Sequence, residues 1–185
     1  MKNNKKKQLG PVRIIISTAF LLAIAIGVAF AIGISTVTEH TNATEFCTSC
    51  HSMQWVTAEW KQSYHYKNAS GVRAECADCH VPHSLGPKML AKILAAKDVW
   101  GEITGVINTK EKFEKHRWVM ANRVWAKMEA TNSRECRSCH AFEFMKTTEQ
   151  AKFTRKKHAK AQREGKTCID CHRGVAHEAP VKPKT

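Results

Sequence analysis

The chain has 185 residues, of which 30 are lysine or arginine and 16 are aspartate or glutamate, so its formal net charge is +14 at pH 7. So basic a balance often indicates nucleic-acid binding, but the sequence carries no nucleic-acid motif and begins with an export or anchor segment. The composition therefore argues against a nucleic-acid partner and favours attraction to anionic lipid or to an acidic protein.

The N-terminal segment predicts one membrane-spanning helix. Residues 1–13 are basic and contain no acid, and residues 14–38 carry no charge. About 20 apolar residues suffice to cross a bilayer as a helix, and lysine and arginine at the N-terminal side keep that end in the cytoplasm. We expect a single-pass protein of the bacterial inner membrane, with its soluble domain in the periplasm. The alternative is a signal peptide cleaved at Ala29-Phe30-Ala31, but that site lies inside the apolar run.

All eight cysteines fall into four Cys-x-x-Cys-His motifs. The motif residues are Cys47, Cys50 and His51; Cys76, Cys79 and His80; Cys136, Cys139 and His140; and Cys168, Cys171 and His172. This is the attachment signature of c-type haem, in which two thiols bind the porphyrin edge and the histidine reaches the iron. Zinc gives no reason for a histidine after every pair, and redox dithiols or disulfides give none for four copies. The motifs predict four covalently bound haem c groups.

The first motif is close to the anchor in the chain. Only residues 39–46 separate the apolar run from Cys47, and eight extended residues reach about 25 Å. The first haem is therefore expected near the membrane surface, where lipid-soluble quinols arrive.

Six histidines lie outside the motifs, and four of them occupy equivalent places in two similar halves of the soluble part. These four are His65, His83, His158 and His177. We predict that they are second axial ligands, because two imidazoles give a six-coordinate iron suited to electron transfer. The alternative is that each is an ordinary surface histidine, which is the interpretation we favour for His40 and His116.

The first motif continues as His51-Ser52-Met53. A thioether is an established axial haem ligand that raises the reduction potential, and a methionine is otherwise an ordinary apolar residue. The sequence therefore leaves both His51 and Met53 as candidate ligands of haem 1.

Between the motifs the spacing of apolar and charged residues predicts helices over Pro87–Gly101, Glu111–Ala130 and Thr147–Arg163. The second has a capping pair in Asn108 and Glu111. Its apolar stripe consists of Phe113, Val124, Trp125 and Met128. The third carries a basic cluster that either docks an acidic partner or is a solvated face; its members are Lys152, Arg155, Lys156, Lys157 and Lys160.

Strand-like alternation is scarce, so the predicted fold is mainly α with much irregular coil. It has one N-terminal transmembrane helix and a multihaem domain built of two dihaem repeats. The expected divisions are a cytoplasmic N-terminus 1–13, an anchor 14–38, a first dihaem module with a helical connector 39–131, a second module 132–177 and a flexible tail 178–185. A soluble part of about 145 residues takes much of its apolar core from the haems, so we expect folding to require them.

These features together resemble the NapC/NirT family of membrane-anchored tetrahaem quinol dehydrogenases. The matching stretches are Cys47 to Met53, Ser63-Tyr64-His65, Cys79 to His83, Lys97 to Gly101 and Cys168 to His177. The resemblance implies oxidation of menaquinol or ubiquinol and electron transfer to a periplasmic terminal reductase, such as nitrate or nitrite reductase, or to its cytochrome subunit. A homo-oligomer is compatible with the sequence.

The resemblance also assigns residues. It implies that the four equivalent histidines are the distal ligands. Met53 matches the methionine that replaces the motif histidine as haem 1 ligand in the nitrite-reductase-linked branch, but the branches conflict over haem 1, so both His51 and Met53 stay candidates. Asp98 matches an acidic residue implicated in quinol oxidation, with Lys92, or alternatively Lys88, as its basic partner. Two other classes remain open: a membrane-tethered electron shuttle without a quinol site, and a haem reductase with an open iron.

Overall fold

A computed structural model describes residues 10–183 of the chain. Its helices are α1 (Pro11–His40), α2 (Thr44–Thr48), α3 (Met53–Trp60), α4 (Cys76–His80), α5 (Leu85–Ile103), α6 (Lys110–Ala130), α7 (Arg134–Arg137), α8 (Lys152–Arg163) and α9 (Cys168–Cys171), with 3-10 turns at Phe142–Phe144 and Thr147–Glu149. No strand occurs among the described residues. The mainly α fold class is therefore confirmed.

Helix α1 forms a compact unit of its own. It contains the predicted anchor 14–38, and it is the one helix within the described range that is long and apolar enough to cross a membrane. Its side chains from Ile15 to Val37 are almost all exposed, as an apolar helix requires when lipid is its solvent. Most of the predicted cytoplasmic segment and the last two residues of the tail lie outside the described residues.

The chain from Asn42 onward forms the second unit, without a division at residue 131. Helices α5 and α6 contain the helices predicted over Pro87–Gly101 and Glu111–Ala130. The predicted cap of α6 was wrong, because Thr109 is the N-cap and accepts a hydrogen bond from the Lys112 backbone N–H at 3.3 Å. Asn108 instead accepts a hydrogen bond from the Lys112 ammonium at 3.0 Å.

The third predicted helix, Thr147–Arg163, is interrupted. After a 3-10 turn, Gln150 and Ala151 adopt extended conformations and α8 begins at Lys152. The break goes with a local contact, since the side-chain amide oxygen of Gln150 lies 2.8 Å from Nδ1 of His158. In a continuous helix these two residues would lie about 12 Å apart along the axis, too far for this contact.

Few apolar side chains are buried by protein alone. In the described part of the chain they are Trp60, Phe113, Trp125 and Ile169. Phe113 and Trp125 belong to the predicted stripe of α6, and Val124 and Met128 are half-buried. So small a core for the whole haem domain agrees with the expectation that bound haem supplies apolar contacts.

Candidate haem centres

The second and fourth motifs are short helices closed by reciprocal N-terminal capping boxes. In α4 the Asp78 carboxylate accepts the Glu75 backbone N–H at 2.8 Å, and in α9 the Asp170 carboxylate accepts the Thr167 backbone N–H at 2.7 Å. Each capping residue accepts the N–H of that aspartate in return. The aspartate before the second cysteine therefore holds the motif as one helical turn, which points both thiols and the histidine the same way.

The first and third motifs use serine at the same position. The hydroxyls of Ser49 and Ser138 donate to the carbonyls of Phe46 and Glu135, three residues earlier, at 2.7 and 2.6 Å. Motifs 1 and 3 thus share one local device and motifs 2 and 4 share another. This alternation agrees with the predicted duplication, which stays a prediction.

The four motifs are neighbours in chain order. The Cys47 and Cys76 thiols are hydrogen-bonded to each other, which raises the pKa of Cys47 and lowers the pKa of Cys76 to about 6. Burial raises the pKa of Cys79 to about 11, with a contribution from Cys136. Burial also raises the pKa of Cys136, with a contribution from Cys168. These thiols mark where the thioether sulfurs of the holoprotein would lie. Because cysteines of successive motifs act on one another, motif 1 lies near motif 2, motif 2 near motif 3, and motif 3 near motif 4.

Three motif histidines each lie opposite a predicted distal histidine. The ring centroids are 6.1 Å apart for His80 and His177, 6.2 Å for His140 and His65, and 6.0 Å for His172 and His158. Two imidazole nitrogens about 2 Å from one metal ion, with ring centres about 1.1 Å behind them, give centroids about 6.2 Å apart. Each pair therefore has the separation needed to hold one iron from both sides.

The three distal histidines share a second feature. Nδ1 of each lies at hydrogen-bonding distance from a carbonyl oxygen. For His65 and His177 it is the backbone oxygen of Val175 and of Val56, each at 3.2 Å. For His158 it is the side-chain amide oxygen of Gln150, at 2.8 Å. A carbonyl only accepts, so Nδ1 carries the proton and Nε2 keeps its lone pair for a metal. The residues present therefore fit haem iron.

His177 is additionally held by a buried ion pair. Arg117 of α6 donates to both carboxylate oxygens of Glu59 on α3, at 2.7 and 2.5 Å. The backbone of Glu178, next to His177, donates its N–H to Glu59 at 2.9 Å and accepts from Arg117 at 2.8 Å. Burial alone would raise the Glu59 pKa, but these hydrogen bonds outweigh it and the pKa is lowered.

The imidazoles of His80 and His177, which face each other, are both neutral at pH 7. Desolvation is the main cause that lowers the pKa of His177, and it lowers that of His80 to about 4. His80 as a whole residue is exposed, but the neighbouring His177 and Lys127 lower its pKa in the same direction as desolvation. A neutral imidazole is the form that coordinates a metal.

The first motif differs from the other three. His51 lies edge-on to Trp55, with ring centroids 5.6 Å apart, and it belongs to none of the three histidine pairs. Met53 begins α3 and is half-buried. His83 lies exposed between α4 and α5, outside the three pairs. His83 therefore stays a predicted ligand, and by elimination haem 1 is the one it would serve.

Helix α5 lies beside this first motif. The Ser52 backbone N–H donates to the Glu102 carboxylate at 3.2 Å, and Lys92 is close enough to Cys47 to affect its pKa. Desolvation, opposed by Cys47, lowers the pKa of Lys92 itself. Asp98, on the same helix, is exposed.

Sequence reasoning missed the residues that orient the ligands. Glu59, Arg117 and Gln150 carry no motif, and the Val56 and Val175 carbonyls are backbone atoms that sequence does not distinguish. The aspartates of the second and fourth motifs were visible as a repeated pattern, but their capping role was not. No group of three His, Cys, Asp or Glu side chains in the described ranges could hold a bare metal ion, as the zinc alternative requires.

Comparison with known proteins agrees with these centres. Residues 11–182 match the model of the NapC/NirT cytochrome c family, N-terminal region. The chain is 54% identical over 157 residues to the Allochromatium vinosum protein named "Putative tetraheme cytochrome-c type", covering 85% of each. It is 48% identical over 171 residues to the cytochrome c-type protein NapC of Escherichia coli, covering 92% of this chain and 86% of that one.

A third relative is the denitrification system component NirT of Stutzerimonas stutzeri. The identity is 47% over 161 residues, covering 86% of this chain and 80% of NirT. The match to the family model spans the apolar helix and all four motifs. This chain belongs to the NapC/NirT cytochrome c family.

Proposed function

We propose that this membrane-anchored c-type cytochrome oxidises membrane quinol, menaquinol or ubiquinol, and passes the electrons through four haems to a periplasmic terminal reductase or to its cytochrome subunit. The observation that carries the proposal is the contrast among the motifs. The second, third and fourth motifs each have a second imidazole opposite the motif histidine, whereas in the first motif His51 lies against Trp55, beside the helix that carries Lys92 and Asp98.

Quinol oxidation releases two electrons and two protons, so the site needs a base. In the proposed mechanism Asp98 accepts a proton from a quinol hydroxyl. Lys92 binds and orients the ring oxygen, and its ammonium stabilises the negative charge that develops on that oxygen as the proton leaves. Haem, when bound, supplies a one-electron acceptor whose axial ligands tune its potential.

The remaining motifs supply the route away from this site. In each of these three motifs the two facing imidazoles would hold the haem iron from both sides, and such an iron would be closed to substrate and suited to electron transfer. The sequence of neighbouring motifs, 1 to 2 to 3 to 4, supports stepwise transfer in that order. His158, a proposed ligand of haem 4, lies on α8, and this helix also carries the basic cluster that we propose docks an acidic reductase or cytochrome subunit.

The first experiment is anaerobic. Haem-loaded protein in detergent is mixed with a reduced menaquinol analogue, and the haem absorbance is followed. We expect rapid reduction of much of the haem, blocked by an inhibitor that competes with quinol. Reduction by dithionite without reduction by quinol would contradict the proposal and favour a tethered shuttle that receives its electrons from a protein. A five-coordinate haem that binds and reduces nitrite would favour the haem reductase instead.

A further inference from the structure

Two polar oxygens beside the first motif are buried without a hydrogen-bonding partner in the described part of the chain. They are Oγ of Ser52 and Oε2 of Glu102. Ser52 is only 1% exposed, and its backbone N–H donates to the other oxygen of the same carboxylate, Oε1 of Glu102, at 3.2 Å. Buried polar groups are almost always paired, so two unpaired oxygens on residues already in contact indicate a functional role.

The fold does not need a charge at Glu102. A glutamine at this position would accept the same N–H through its amide oxygen. Glu59 and Glu135, two other carboxylates that are largely buried, each bind an arginine, whereas none of the ion pairs between described residues includes Glu102. A carboxylate oxygen buried in this way is suited to binding a proton, because the proton removes the uncompensated charge.

Glu102 stands one helical turn beyond Asp98 on α5. Residues four apart on a helix lie on the same face, with Cβ atoms about 5–6 Å apart. Asp98 is exposed and Glu102 is half-buried, so the two carboxylates extend from the surface to the segment that follows His51. Across this separation a proton can pass from one carboxylate to the other, directly or through one water.

The proposed function leaves one proton without an acceptor. A quinol loses two protons, and one carboxylate binds only one of them. A quinol bound against Asp98 would also cover the exposed side of that residue. The proton on Asp98 must therefore move elsewhere before the second quinol hydroxyl can react, and Glu102 is a neighbouring group able to accept it.

We propose that Glu102 relays protons away from Asp98. As the first quinol O–H bond breaks, its proton passes to Asp98 and then to Oε2 of Glu102, and one electron passes to the oxidised haem of the first motif. Asp98, again a carboxylate, takes the proton of the second O–H bond. The second electron follows once the first has moved to the next haem, and a quinone is left.

The relay gives both unpaired oxygens a partner. Once Oε2 of Glu102 carries a proton it becomes a donor, and the Ser52 hydroxyl can accept from it directly or through one water. Both carboxyl groups return their protons to solvent after the quinone leaves. This inference deepens the proposed function and rests on it.

The test is anaerobic stopped-flow mixing, with the full haem-loaded chain in excess over a reduced menaquinol analogue, so that each quinol delivers two electrons. Glu102→Gln keeps an acceptor for the Ser52 N–H but cannot bind the relayed proton. Ser52→Ala removes the hydroxyl and leaves the carboxylate. Glu143→Gln is the matched control, since it removes the same charge from an exposed turn after the third motif. Haem content and the low-spin spectrum verify that each variant folds.

For Glu102→Gln we expect two phases of equal amplitude. The first electron should enter at the wild-type rate, and the second about 100-fold more slowly, as the loss of a proton acceptor predicts. Ser52→Ala should slow only the second phase, several-fold, and Glu143→Gln should slow neither phase. Asp98→Asn should slow both, because each proton passes through that carboxylate.

Wild-type rates in both phases for Glu102→Gln would overturn the relay. Equal slowing of both phases would overturn it too, since a residue that only positions the first motif affects both electrons alike. In either case the unmodified protein is still reduced by quinol and the proposed function stands. Failure of quinol to reduce the unmodified protein, with full reduction by dithionite, would instead reject the proposed function and the relay with it.

Discussion

The surroundings of the second, third and fourth motifs differ from those of the first. Each of the three has a motif histidine facing a second imidazole whose Nδ1 lies at hydrogen-bonding distance from a carbonyl oxygen. The first has His51 against Trp55, a methionine two residues later, and a neighbouring helix with an ammonium and a carboxylate. Three motifs thus have the paired imidazoles that suit electron transfer, and the first motif has different surroundings. Under the proposed function, this difference separates the motif at which quinol reacts from those that only pass electrons.

The largest expected effect comes from removing one imidazole of a histidine pair. His65→Ala removes the imidazole opposite His140, so one haem should change completely from low-spin to high-spin while all four remain attached, as read by electron paramagnetic resonance and haem content. His116→Ala is the control, since this half-buried imidazole lies at hydrogen-bonding distance from the Lys112 carbonyl of its own helix and belongs to none of the three pairs. His83→Ala sharpens the comparison: a new high-spin signal would make it the ligand of haem 1. An unchanged spectrum would remove it from the ligand set.

The second prediction concerns Asp98, on the helix beside the first motif. Asp98→Asn should lower the rate of haem reduction by quinol about 100-fold, the lower end of what a general base contributes, while dithionite still reduces every haem. Glu149→Gln removes the same charge from an exposed pair with Lys146 and should react as the unchanged protein does. Wild-type rates with quinol in the Asp98 variant would exclude it as the base.

The third prediction tests the ion pair that holds His177. Arg117→Gln leaves the Glu59 carboxylate buried without its cation, which should lower the free energy of unfolding by about 3 kcal/mol. It should also weaken the low-spin signal of the haem between His80 and His177. Glu129→Gln breaks a half-exposed pair with Arg173 and should cost less than about 1 kcal/mol. Loss of stability with an intact low-spin signal would mean that the ion pair stabilises the fold without positioning the ligand.

The smallest expected effect concerns the capped motifs. Thr167→Ala removes the N-cap of α9 and should lower the free energy of unfolding in urea by about 1 kcal/mol. Thr104→Ala is matched in chemistry, but its hydroxyl only donates back to the Trp100 carbonyl at the exposed end of α5. Equal effects of the two changes would show that the bound haem alone holds the fourth motif in its helical turn.

Much of the haem sites could be predicted from the sequence because short local patterns define them. Cysteine, cysteine and histidine within five residues define haem attachment without reference to the rest of the fold, and a run such as 14–38 defines an apolar helix by composition. The helices α5 and α6 followed from periodicity. The errors were also local: the cap of α6 depends on whether Asn108 or Thr109 adopts the extended conformation, and the start of α8 depends on a side-chain contact of Gln150.

By itself, then, the sequence determined the cofactor, its number, the apolar helix and the pool of candidate ligands. Only the tertiary structure decided that His177 faces His80, that His65 faces His140 and that His158 faces His172, two of these pairs crossing between the halves of the chain. The physical reason is that a ligand's partner is chosen by packing between distant segments, such as α3, α6 and the C-terminal residues around Glu59 and Arg117. Spacing along the chain does not encode such contacts.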